Sequence, residues 1–302
     1  MNSVDGASSV VGVSPTEVVQ KAFDFTVDKL PLVGPDNLKT GYYGLFRSDN
    51  SEMVGFPVTS KYVPHQTSSV VQLVEAAAKA FDGAEDVQCH FRQGHYVTMA
   101  PSRAKRVEIF GTKDNIFPRV IIEAGYDGKS YRASLGFYRD ICSNMSIMRS
   151  VGGTNVSIRH MSGLLPKIDS LVDTFHELGE SWSKVAEYAL AMEGKSVKLA
   201  SFLKEVYGEP EKESGRGATM HKNRTEAIVN RLLNERARSQ RSDIDLVSQE
   251  VSLWEAYNAV QGYIQHDASK HGTHTEMSRI VESFNSLQLS KVESVVSRIM
   301  AV

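Results

Sequence analysis

A chain of 302 residues can bury one large core or two ordinary ones, and 41% hydrophobic with 23% charged residues excludes a disordered chain. No apolar run reaches the roughly 18 residues of a membrane span, and Met1–Ser9 has neither part of a secretory signal, so a soluble, intracellular protein is expected. The net charge of −2 hides two basic blocks: residues 101–160 hold 10 basic and 5 acidic side chains, and residues 216–241 hold 7 and 2.

The first half reads as β-rich. Pro15 to Phe25 predicts a short helix with Val18, Val19, Ala22 and Phe23 on its apolar side. Tyr42 to Phe46 and Met53 to Phe56, joined by the polar stretch from Arg47 to Glu52, predict a hairpin. A helix follows from Ser68 to Phe81, stopped by Asp82-Gly83. Strands are expected over Val87 to Arg92, His95 to Ala100 and Arg106 to Phe110. A long hairpin then pairs Pro118 to Tyr126 with Lys129 to Tyr138 across Asp127-Gly128, whose residue types supply the positive φ of a tight turn. In its second arm Tyr131, Ala133, Leu135 and Phe137 face one way; Arg132, Ser134, Gly136 and Tyr138 face the other.

After residue 160 the period changes to about 3.6. Apolar residues from Leu164 to Ala189 predict one long amphipathic helix, and Val197 to Tyr207 a second. Gly208 to Gly217, with no apolar residue, is a linker. Helices follow around His221 to Arg238, Leu246 to Gln265 and Thr275 to Ile299. The expected fold is α+β: an N-terminal antiparallel sheet with a packed helix over residues 1–160, then a helical region over 161–302 with its linker near 208–217.

The chain lacks a G-x-S-x-G elbow, a P-loop and a dinucleotide-binding glycine fingerprint, which points away from an enzyme. Cys89 and Cys142 have no histidine pair near them and are expected as reduced thiols. His266, His271 and His274 cluster with Asp267, but their spacing matches no zinc pattern, and no metal or cofactor is expected. His90 and His95 flank Gln93-Gly94 as a hairpin turn would place them. The basic segment is the informative one. Arg103, Lys105, Arg106, Arg119, Lys129, Arg132 and Arg139 are interleaved with Phe110, Phe117, Tyr126, Tyr131, Phe137 and Tyr138. A single-strand binder needs this pairing, cations for phosphates and flat rings for bases. Most of these rings suit a sheet core; Tyr138, sharing a face with Arg132, is the stacking candidate. In the second basic block Arg224, Arg231 and Arg238 stand seven apart on one helical stripe, with Glu235 four residues after Arg231.

Four segments, in order, resemble a family of phage- and plasmid-encoded proteins of unknown function. They are Thr16 to Leu32, Met53 to Gln66, Phe137 to Ile147 with Ile158 to His160, and Ser252 to His266. The third is similar to that family's R-x-x-C-x-N … H signature, through Arg139, Cys142, Asn144 and His160. The fourth is similar to its W-x-x-x-N … H segment, through Trp254, Asn258 and His266. HFRQGHYVTMAP stands where the family carries a longer glycine-containing run. The resemblance implies a mobile-element origin and a bacterial cytoplasm, without an activity. By fold-level analogy the element order fits phage single-strand annealing proteins. The leading expectation is therefore a non-catalytic single-stranded DNA-binding protein, a recombination or annealing factor, that forms a homo-oligomer. The alternatives are a structural or interaction protein of a mobile element, such as an assembly factor or host-defence inhibitor, and a metal-dependent nuclease.

Overall fold

The structure is a computed structural model and describes residues 14–102, 106–109, 114–126, 131–139, 144–146, 155–158, 168–210, 214–238, 250–268, 279–280, 283–284 and 286–302. It is α+β, as the change of period predicts. Contacts divide the chain into two units that interleave along the sequence. One comprises Met1–Ala104, Arg119–Leu135 and Asn155–Glu180; the other Lys105–Pro118, Gly136–Thr154 and Ser181–Val302. The strands of the long hairpin contribute residues to both units.

The first unit opens with α1 (Pro15–Ala22) and an antiparallel sheet of β1 (Val27–Val33), β2 (Lys39–Arg47) and β3 (Met53–Val58), in that order. The β2–β3 turn is held by its own polar residues. Asn50 Oδ1 accepts from the Glu52 amide at 2.9 Å, and Arg47 grips Asp49 through two bonds of 2.9 and 2.7 Å. Helix α2 (Thr67–Ala80) buries Val70, Leu73, Val74, Ala76, Ala77 and Ala80. It lies against α1, the strand Gly94–Pro101 and the helix Ile168–Glu180. β4 (Ala84–Phe91) and β5 (Gly94–Pro101) form a hairpin, and β5 pairs with β7 (Asn115–Gly125). β8 (Tyr131–Arg139) follows next to β7, with β10 (Asn155–Ile158) on its far side. The Asp127-Gly128 turn lies outside the described residues. In β3, Gly55 has φ +71°, and a Cβ there would stand 2.5 Å from the Tyr126 carbonyl oxygen, so only glycine lets β3 approach Tyr126 this closely.

The amphipathic stripe expected as one helix is two, α3 (Ile168–Glu180) and α4 (Trp182–Glu193). The break falls at Ser181, just after Gly179, which lies against the Phe81 ring; both are weak helix formers. Periodicity continued across the break because both helices bury an apolar side.

In the second unit β6 (Val107–Glu108) pairs with the start of β7, and β9 (Met145–Ser146) with the end of β8. The helices are α4, α5 (Leu199–Tyr207), α6 (Arg216–Arg238), α7 (Leu253–Gly262) and α8 (Leu287–Met300); β11 (Ser196–Lys198) pairs with β12 (Glu250–Ser252). Every residue of α7 is buried. Its start is a capping box: Ser252 Oγ accepts from the Glu255 amide at 3.1 Å, and Glu255 Oε2 from the Ser252 amide at 3.0 Å. A π-helical turn, Tyr263–Asp267, continues it. The terminal helix α8 buries Leu289, Val292, Val295 and Val296 in this core. Among the described residues no helix is long and apolar enough to cross a membrane.

Candidate nucleic-acid interface

The sheet edge of the second unit separates core from surface by alternation. Ile116 on β7 and Phe137 on β8 are fully buried among the helices. Their neighbours Phe117 and Tyr138 point the opposite way and keep part of their surface in solvent. Register places Val107 opposite Ile116, which carries Arg106 to the level of Phe117. The exposed Arg106 guanidinium lies over the Phe117 ring at 5.4 Å, and the Phe117 and Tyr138 rings are 5.0 Å apart at 57°. A cation and two rings thus form one row across β6, β7 and β8. The sequence singles out Tyr138 alone for stacking; the place of Phe117 in this row becomes visible with the strand pairing.

The other candidates divide. Arg132 on β8 is partly exposed. Arg119 is fully buried, its guanidinium bonded to the Asp86 carboxylate, to the Asp86 carbonyl at 2.7 Å and to Thr98 Oγ1 at 3.1 Å. Arg139 is buried on the core side of β8, one residue past Tyr138, between the carboxylates of Asp114 and Glu235. Neither side chain has a phosphate-facing surface: Arg139 spends its charge on two buried carboxylates, and Arg119 on the exposed Asp86 and on Thr98. Arg103, Lys105 and Lys129 lie outside the described residues.

Asp114, Arg139 and Glu235 belong to a polar seam within the second unit. Trp254 Nε1 donates to Asp114 at 3.0 Å, and Arg236 makes two bonds of 2.7 and 2.8 Å to Glu255. Farther along α7, Asn258 Nδ2 donates to the Trp254 carbonyl at 2.8 Å, while the Asn258 carbonyl accepts from Asn144 Nδ2 at 3.1 Å. Gln261 and Gln265 both donate to the Met145 carbonyl, and His266 Nε2 meets Asn144 Oδ1 at 3.1 Å. The structure thereby brings Arg139 and Asn144 of one sequence motif together with Trp254, Asn258 and His266 of another.

Residues 57–290 match the family model described as Domain of unknown function (DUF932). The chain belongs to the DUF932 family. No curated protein and no solved structure matches it. The DUF932 segment begins in β3, ends in α8, and contains the cation–ring row and the polar seam.

A further cluster, drawn partly from before the DUF932 match and partly from within it, has no local sequence signature. His65 Nε2 and His95 Nδ1 are 3.0 Å apart in the first unit, both buried. His65 stacks on Tyr126 at 4.1 Å, and the Tyr126 hydroxyl donates to the His65 carbonyl at 2.8 Å. Phe23, Phe25 and Phe91 surround His95 at 4.6 to 5.7 Å. Arg47 closes the group, 3.9 Å from the Phe25 ring and 4.7 Å from the Phe91 ring. Burial, then the Arg47 charge, lowers the His95 pKa to about 3, so the imidazole is neutral. Burial raises Tyr126 and Tyr131 well above the ordinary phenol range. Thirty residues of chain separate the two histidines, and no local pattern links them.

The second basic stripe is largely engaged within its own unit. Arg224 lies over Tyr207 at 4.3 Å, and Arg231 bonds Asp267 at 2.8 Å rather than the nearby Glu235, which faces Arg139. Of the histidine cluster, His266 serves Asn144, while His271 and His274 lie outside the described residues. Among the described residues no group of three metal-ligating side chains assembles. Cys89 carries a free thiol, its pKa pushed up to about 12 by burial, which makes it a poor nucleophile. Cys142 lies outside the described residues.

Proposed function

We propose that this DUF932 protein binds single-stranded DNA without cleaving it, as a recombination or annealing factor of a phage or plasmid. The observation that carries this reading is the row of Arg106, Phe117 and Tyr138. A guanidinium for phosphate beside two partly exposed rings is the minimal apparatus for holding an unpaired strand. The buried Asp114–Arg139–Glu235 group on the other side of β8 supports it, since a locked strand holds Tyr138 in place for a base.

The test is anisotropy of a labelled oligothymidine across a salt series. Wild-type protein should bind at low salt, with log affinity falling linearly in log salt. Arg106→Ala should lower that slope by roughly 0.7, the share of one phosphate contact on a single strand. Absence of binding at low salt would end the proposal, and magnesium-dependent loss of the strand would replace it with a nuclease.

A further inference from the structure

The β1-β2-β3 sheet is apolar on both faces. On one, Val27, Leu45 and Val54 are buried with Tyr126. On the other, register sets Leu30 opposite Gly44, Asp28 opposite Phe46, and Phe46 opposite Met53, so Leu30, Phe46 and Met53 share that face. Leu32 joins them: a Cβ on Gly44 would meet the Phe46 ring at 2.6 Å and Leu32 Cδ2 at 3.1 Å. Tyr42, two residues before Gly44, continues the row. These side chains are not closed over by the unit, since Leu30 is 50% exposed, Tyr42 54% and Met53 39%. Asp28 supplies the one charge among the residues so aligned. An isolated surface leucine means nothing, but a contiguous apolar sheet face does.

We propose that this face is a self-association surface, on which two copies of the chain pack their β1-β2-β3 sheets face to face. Two observations select a second copy as the occupant. The edges are closed to strand addition, since β1 carries Pro31 and β3 carries Pro57, both exposed, so the contact is made by the face. The face is almost without charge, and it is homodimer interfaces that are enriched in apolar area, a two-fold axis matching each patch to its own chemistry. The amphipathic terminal helix is not an alternative site, because α8 spends its apolar side on the core. The proposal does not depend on nucleic-acid binding.

Sedimentation velocity of the full chain, without nucleic acid and over a wide range of concentration, decides it. Wild-type protein should form dimers with rising concentration. Leu30→Glu with Met53→Glu should weaken that association by about tenfold or more while the thermal midpoint holds, both positions being already solvated. Should the charged pair lower the midpoint, Leu30→Ser with Tyr42→Ser provides the same reading with no charge added. A wild-type protein that stays monomeric at every concentration overturns the proposal. So do folded variants that associate as the wild type does, since the interface then lies elsewhere.

Discussion

His95 and Arg139 are both polar, both at least 97% buried, and held in opposite ways. In the first unit His95 is kept neutral by rings on several sides and shares one hydrogen bond with His65. In the second, Arg139 keeps its charge and is matched by two carboxylates, one of which also serves Trp254. Burial can therefore be met by giving up charge or by pairing it, and the two solutions fail differently. A neutral imidazole fails when pH forces a proton on it. A paired guanidinium fails when one partner is removed.

The largest effect should come from breaking the pair. Arg139→Met leaves Asp114 and Glu235 facing each other without their shared cation, and should cost about 3–5 kcal/mol of stability by denaturant unfolding. A loss below about 1 kcal/mol would mean that the seam is open to water. Trp254→Ala should cost a similar amount, about 3–5 kcal/mol, through the cavity left by a side chain 1% exposed. Trp254→Phe separates packing from bonding: it keeps most of the volume, loses the donor to Asp114, and should cost about 1–3 kcal/mol.

The first unit should answer to pH instead. The folded pKa of His95, about 3, lies below its ordinary value of 6.5, so the unfolded chain takes up a proton that the folded chain refuses. The stability this represents is complete above pH 6.5 and is lost as pH falls from there through 3, at up to about 1.4 kcal/mol per pH unit. His95→Phe should flatten the stability profile between pH 6 and about 4. A profile as steep as the wild type's would show that another group carries the acid sensitivity.

The comparison also explains what could be read in advance. The β2–β3 hairpin, α2 and the β7–β8 arms were legible because their signals are local: alternation, helical spacing, turn residues. Arg139 was expected on the phosphate-binding surface, although the alternation that turns Phe137 to the core carries Arg139 with it. The burial of Arg119 was not legible. It depends on Asp86 of β4 and Thr98 of β5, and a cation on a β strand looks the same whether it meets solvent or a carboxylate. The break at Ser181 was hidden by an apolar stripe that continues through it, and the His65–His95 pair by their separation of 30 positions along the chain. What sequence misses here is partner choice across the fold, and polar burial consists of partner choice.

The smallest effect is the one that separates surface from core along a single strand. Tyr138 and Arg139 are adjacent on β8, yet their substitutions should read out in different experiments. Tyr138→Leu keeps an apolar, β-compatible side chain at a partly exposed site, so stability should move by no more than about 0.5 kcal/mol. If bases stack on the ring, affinity for a labelled single strand should fall by about 1–3 kcal/mol, while Tyr138→Phe, which keeps the π face, should stay near wild type. The salt slope should not change in either variant, because no phosphate contact is lost. If Tyr138→Phe were as weak as Tyr138→Leu, the hydroxyl rather than the ring would be the contact, and stacking on this row would be wrong. If Tyr138→Leu lost stability and affinity together, the ring would belong to the packing of β7 and β8, and Arg106 would remain as a purely electrostatic contact.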